Sequence, residues 1–199
     1  MSLEEAVRRR RMVRSFSGRP LDPAVVDRLV DLAIRSPTAG NTGGWAPVVL
    51  AGPSETWTFW HATTSASWRA RSRRWPGLSR APVIVVLLTR PAAYAERYRQ
   101  ADKASSGLGA LERWPVPYWF VDVGMAAMTL LLGARASGIG ACFLGNFRGE
   151  AALLEALGVP PEEGWRYAGA VVLGEPGDDD PPSSSLARGR GVQVHRGRW

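Results

Sequence analysis

Residues Trp119–Ser137, WFVDVGMAAMTLLLGARAS, are apolar on nearly every helical face and stop just before Gly138, a residue suited to closing a helix. A helix that is apolar all round is a buried one. The stretch therefore predicts a central helix with the rest of the chain packed around it. On its C-terminal side, Ala141–Leu144 reads as a short strand, Glu150–Leu157 as a short helix closed by Gly158, and Tyr167–Leu173 as a last buried strand. On its N-terminal side, Val48–Ala51 and Pro82–Thr89 are β-rich apolar runs between turn residues. Between them, Trp57, Trp60, Trp68 and Trp75 stand in a segment that reads as a helix and then a loop. Earlier still, Val26, Leu29, Val30 and Ala33 share a helical face behind Asp22-Pro23, an N-cap followed by proline at the first helical position. That helix is expected to stop at Ser36, because Pro37 disfavours the α conformation in the residue before it. Ser2-Leu3-Glu4-Glu5 is a capping box opening a helix that runs into Arg8–Arg11. Helices outnumber strands, and the strand spacing gives no regular βαβ units, so the fold class is α+β.

The 199 residues fit one domain, 1–199, long enough to bury about 70% of the unfolded surface without a staple. The lone Cys142 excludes a disulfide framework and, with two histidines, a zinc cluster. No apolar run approaches the ~18 residues of a membrane span, and MSLEEAVRRRR lacks the order of a signal peptide. A cytoplasmic protein with no membrane partner is expected. Gly174–Ala187, rich in Pro, Ser, Gly and Asp, reads as a linker or exposed crossing segment ahead of a basic tail.

Of the 25 basic residues 24 are arginine, and the net charge is +7. Arginine grips phosphate through paired hydrogen bonds, so a nucleic acid and a phosphorylated cofactor are both conceivable partners. Arg8–Arg11 and Arg14 could hold a phosphate or form a solvated helix end that complements the helix dipole. Ser36–Trp45, SPTAGNTGGW, is a loop of small residues that could approach a planar ligand closely, or simply a turn. Gly138-Ile139-Gly140 follows a helix and precedes a strand, the reverse of a dinucleotide fingerprint. Cys142 reads as a small buried hydrophobe, and His61 and His195 have no catalytic partner at a useful spacing. With no side-chain constellation for catalysis, any chemistry belongs to a cofactor.

Taken in order, these segments resemble the FMN-dependent nitroreductase family. Arg10-Arg11-Met12-Val13-Arg14-Ser15-Phe16 is similar to its opening RRSxRxF signature, and Ser36–Trp45 to its SPSAGNxQPW segment. Gly138–Gly145 resembles its late glycine-containing strand, and Arg188-Gly189-Arg190 its C-terminal phosphate clamp. Trp114–Trp119, running into Val121–Met125, is similar to a subgroup that also ends in an HRGRW-like tail. The resemblance implies an intertwined homodimer with a central, mostly antiparallel sheet flanked by helices, two interfacial FMN sites, and a C-terminal tail wrapping the partner. It puts Arg10, Arg14, Arg188 and Arg190 around the FMN phosphate, with Arg11 and Met12 adjacent. Pro37, Thr38, Ala39 and Gly40 would line the flavin ring, with Asn41 reaching it across the interface. Phe143, Leu144 and Gly145 would pack on the ring, the Gly145 N–H facing flavin N5. The Trp119–Ser137 helix would form the dimer core. Two departures stand out: Met12 replaces the family's serine, and Gly43-Gly44 replaces its Gln-Pro.

The activity implied is ping-pong hydride transfer from NAD(P)H, through FMN, to a small-molecule acceptor such as a nitroaromatic or quinone. Tyr118, Trp119 and Trp114 are candidates for the acceptor's walls. The same fold could instead oxidise a small metabolite or a peptide ring, or split a flavin. A basic nucleic-acid-binding module is the remote alternative. The arginines stand against it, because they sit at the two chain ends beside apolar, tightly turned segments, so no nucleic acid is expected.

Overall fold

The computed structural model describes residues 1–71, 75–145, 148–180 and 193–198. Its centre is an antiparallel sheet of four strands in the order β1-β2-β4-β3, with β1 at Trp45–Ala51, β2 at Val83–Thr89, β3 at Gly140–Leu144 and β4 at Arg166–Gly174. Every residue of β2 is buried, which is why its sequence is continuously apolar instead of alternating. The two-residue period still divides it. Ile84, Val86 and Leu88 face a core shared with Phe59, Trp60 and Leu153, while Val83, Val85 and Leu87 face one shared with Val26, Leu29, Val123 and Leu130. At about 1.5–3 kcal/mol for each large aliphatic side chain taken from water, these two cores dominate the stability.

The first core is roofed by α3 (Pro53–Thr63) and α7 (Glu150–Ala156), the second by α2 (Pro23–Ile34) and α6 (Tyr118–Ala136). The result is a three-layer α+β arrangement completed by α1 (Leu3–Arg9), α4 (Ala66–Arg71) and α5 (Pro91–Tyr98). The helix starts obey their local signals. Ser2 and Glu5 form the reciprocal capping box of α1, and Asp22 accepts the Ala24 N–H ahead of Pro23. α6 ends in a Schellman turn: Gly138 takes φ 76°, and the Ile139 N–H donates to the Ala134 carbonyl at 2.8 Å.

Four sequence expectations need correction. α6 is not buried all round: Tyr118, Val121, Met125 and Met128, spaced three or four apart, form an exposed stripe, while Val123, Ala126, Ala127 and Leu130 face inward. α6 is also long and apolar enough, at 19 residues and a mean hydropathy of 1.3, to match a membrane span in length and composition, although its inner face is packed on the sheet. The segment after β1 holds two helices, α3 and α4. Finally, the chain beyond β4 does not leave as a linker at once. Residues 175–180 fold back along Ser15–Ser17, with the Ser17 N–H bonded to the Glu175 carbonyl at 3.0 Å and the Gly177 N–H to the Ser15 carbonyl at 2.9 Å. The remainder of the expected linker, 181–187, lies outside the described residues.

Candidate functional site

The sequence candidates gather in two groups. The first lies along the edge of β3. Leaving α1, the chain extends past this exposed strand, and the Val13 N–H donates to the Ala141 carbonyl at 2.9 Å. This pairing satisfies an edge that would otherwise stay open, and it sets Arg10, Arg11 and Arg14, all half-buried, on one short extended run. Met12 reaches the same edge, its sulfur accepting the Phe143 N–H at 3.4 Å. A serine hydroxyl would be shorter and a donor, so the methionine trades a polar group for contact with the strand. The Arg14 guanidinium lies 4.8 Å from the centre of the Trp75 ring, a cation–π distance. Phe143 and Leu144 are partly buried and Gly145 is exposed at the end of the strand.

Two acids steady this segment. The Asp180 carboxylate, its side chain only 2% exposed, pairs with Arg11 and accepts the Arg14 and Ser15 N–H groups at 2.8 and 2.9 Å. Asp179 accepts the Ser15 hydroxyl at 2.6 Å and the Arg80 guanidinium at 2.8 Å. The Ser15 hydroxyl first, then Arg80, holds the Asp179 carboxyl below its usual range. Beneath the edge, burial pushes the Cys142 thiol up to about 11, as befits a packing residue.

The second group is the loop ahead of β1. Gly40 and Asn41 adopt consecutive left-handed conformations, φ 64° and 53°. Glycine suits such a position, and asparagine tolerates it. Gly40 also packs so closely on Tyr98 that a Cβ would stand 2.6 Å from the ring. Three contacts fix the loop from outside. Asp122, fully buried in the first turns of α6, accepts the Ala39 N–H and the Tyr94 hydroxyl, each at 2.8 Å. The Arg97 guanidinium donates to the Gly40 carbonyl at 3.0 Å while pairing with Asp102. Burial first, then the Asp122 hydrogen bond, raises the Tyr94 phenol well above its ordinary range. Pro37 and Asn41 are exposed, and Thr38, Ala39 and Gly40 half-buried.

The aromatic candidates adjoin this loop. Trp114 is 9% exposed, meets Tyr94 and Tyr98 edge to face, and donates its indole N–H to the Leu108 carbonyl at 2.9 Å. Packing occupies it. Trp119 is partly buried and Tyr118 exposed. Arg188 and Arg190 lie outside the described residues. Sequence reasoning missed Asp122, Arg97, Arg80, Asp179 and Asp180. Only Asp122 gave a local sign, as the one acid in an otherwise apolar helix; the others act across long separations.

The arginine-bearing segment thus lies on the β3 edge, whereas the left-handed glycine loop leads into β1 at the other edge of the four-stranded sheet. The nitroreductase family matches residues 7–175, and the chain belongs to that family. It is 27% identical over 199 residues to an Archaeoglobus fulgidus protein provisionally named NADH dehydrogenase/NAD(P)H nitroreductase, covering 96% of this chain and 94% of the relative. It is likewise 27% identical over 212 residues to the 5,6-dimethylbenzimidazole synthase of Rhodobacter capsulatus, covering 100% of this chain and 90% of that one. Among solved structures it is similar to a provisionally named nitroreductase from Exiguobacterium sibiricum in complex with FMN, at 16% identity and a TM-score of 0.70 over 92% of each chain.

Proposed function

We propose that residues 1–199 form one FMN-binding domain of a cytoplasmic homodimeric oxidoreductase, which moves hydride from NADH or NADPH to a small conjugated acceptor such as a nitroaromatic or a quinone. The observation that carries this reading is the run Arg10–Arg14, anchored to the β3 edge beside Phe143–Gly145. Its donor set fits a flavin phosphate: guanidinium groups are the strongest bidentate partners of a phosphate in proteins. The A. fulgidus relative's name and the FMN complex of the E. sibiricum protein support the same choice of cofactor and co-substrate.

The cofactor would supply the ring that accepts and releases hydride; the chain supplies its seat. Arg10 and Arg14 would hold the phosphate; Arg188 and Arg190, which the resemblance assigns to it, lie outside the described residues. Arg11 stands beside Arg10, paired with Asp180. Phe143, Leu144 and Gly145 would face the ring, where the Gly145 N–H would offer a preorganised dipole. Pro37, Thr38, Ala39 and Gly40 would line the ring, with Asn41 contributed by the second copy of the chain. The exposed stripe of Val121, Met125 and Met128 is the surface that the second copy covers. Tyr118 and Trp119 remain available to an acceptor, whereas Trp114 is committed to packing. Protons would come from water or the cofactor, since the acids that face the segment among the described residues, Asp179 and Asp180, are engaged with Ser15, Arg80, Arg11 and backbone N–H groups.

Anaerobic mixing of the purified protein with NADH or NADPH is expected to bleach an oxidised-flavin spectrum, and a nitroaromatic or quinone to restore it. No bleaching with either nucleotide overturns the reading. One relative carries the name of a synthase, 5,6-dimethylbenzimidazole synthase, and the rival reading is flavin-dependent oxidation or flavin splitting on the same fold; product analysis under O2 separates the two.

A further inference from the structure

Residues 75–80, the turn that leads towards β2, dock on the arginine segment. The Phe16 N–H donates to the Gly77 carbonyl at 3.2 Å. The Arg80 guanidinium returns bonds to the Phe16 carbonyl at 2.9 Å and to the Ser15 hydroxyl at 2.8 Å. Gly77 comes so near that a Cβ would stand 1.8 Å from the Ser15 hydroxyl oxygen, an approach open only to glycine. Within the turn, the Leu78 N–H donates to the Trp75 carbonyl at 3.2 Å, and the half-buried Trp75 ring packs on the first core. The ring is fixed from two sides. Over it lies the Arg14 guanidinium, 4.8 Å from the ring centre.

The neighbouring arginines are held in another way. Arg11 pairs with Asp180, Arg19 with Glu175 and Arg80 with Asp179. The half-buried Arg14 guanidinium meets no carboxylate among the described residues: Asp180 takes the backbone N–H of Arg14, and the guanidinium donates to the Met12 carbonyl at a long 3.4 Å. A carboxylate holds a guanidinium by using up its N–H groups and cancelling its charge. An aromatic face holds the same group through the ring quadrupole and leaves charge and N–H groups for another partner. We propose that Trp75 is a positioning residue, which seats the Arg14 guanidinium so that its charge and its N–H groups meet a phosphorylated ligand. The inference rests on the proposed flavin reading, which makes that ligand FMN, and adds to it the residue that orients one of its arginines.

The test is a double-mutant cycle read in flavin affinity, with FMN and riboflavin titrated into the full chain and into its Trp75→Leu, Arg14→Ala and doubly substituted variants. Trp75→Leu is expected to weaken FMN binding about fivefold, the effect of losing a partly desolvated cation–π contact. Riboflavin affinity is expected to stay at the wild-type value, which a general loosening of the fold would not allow. In the Arg14→Ala background, Trp75→Leu is expected to change FMN affinity by less than about twofold, because the group that it positions is gone. Trp75→Phe restores an aromatic face and is expected to recover most of the loss. Trp75→Met, bulky but without a ring, carries the same cycle if Trp75→Leu folds poorly. Unchanged FMN affinity without the ring overturns the proposal, as does an equal loss for FMN and riboflavin, or a loss of the same size with and without Arg14. A wild-type protein that takes FMN no better than riboflavin is a different failure: it overturns the phosphate reading itself, and this inference falls with it.

Discussion

The segment Arg10–Ser17 and the loop Thr38–Gly44 are both irregular, yet they are held by different means. The first borrows partners from far along the chain: an Arg80–Asp179 pair that faces solvent, and the buried Asp180 carboxylate. The second hangs on one fully buried carboxyl group, Asp122, shared by a backbone N–H and a phenol. Solvated ion pairs contribute little each, whereas a buried hydrogen-bonded group is costly to remove because its partners are left unsatisfied. The arginine segment thus rests on one buried acid and one solvated pair, and the loop on a buried carboxyl group alone.

The largest effect should come from breaking the loop's support. Asp122→Ala orphans the Ala39 N–H and the Tyr94 hydroxyl, and should cost about 2–4 kcal/mol in urea unfolding. Tyr94→Phe, which removes a single donor, should cost about 1 kcal/mol. A loss equally small in both would mean that the loop does not depend on Asp122. Next in size is the shielding that the arginine segment gives the β3 edge. With its thiol pushed up to about 11, Cys142 should react with a disulfide reagent at pH 8 about 100-fold more slowly in the native protein than in the unfolded one. Equal rates would show that the segment does not cover the edge.

Arg14→Ala sharpens the contrast, because it should weaken FMN binding about 10- to 100-fold, the range for losing a charge-assisted hydrogen bond. Its unfolding midpoint should barely move, the reverse of Asp122→Ala. The smallest effect is one of pH. Asp179 is held below its usual range in the folded chain, so its contribution is complete above the unfolded value near 4 and is lost as the pH falls through the depressed one. The protection factor of the Phe16 amide, corrected for the intrinsic exchange rate at each pH, should therefore fall on acidification, that of the Asn41 amide should not, and Asp179→Asn should flatten the difference.

Much of the fold was legible because its signals are local. The Ser2–Glu5 box, Asp22-Pro23 and the Gly138 stop are short-range chemistry, and β2 announces itself as a run buried on both faces. β1 was read as starting at Val48 but begins at Trp45 and includes Pro47. β1 lies at the edge of the sheet, where a residue without an N–H is tolerated. The Trp119–Ser137 helix was correctly placed and wrongly thought buried all round, since an apolar stripe left exposed looks the same in sequence as one facing a core. In the candidate site the arginines and glycines could be read directly. The acids that hold them could not, because Asp180 lies 169 residues from Arg11 and no periodicity links the two.

The central claim is that the Arg10–Arg14 segment is a phosphate site, and the most direct measurement is a calorimetric titration of flavin-free protein with FMN and with riboflavin at low and high salt. The account predicts much tighter, salt-sensitive binding of FMN, an advantage that Arg14→Ala largely removes. Equal affinity for the two flavins, indifferent to salt and to Arg14, would contradict it.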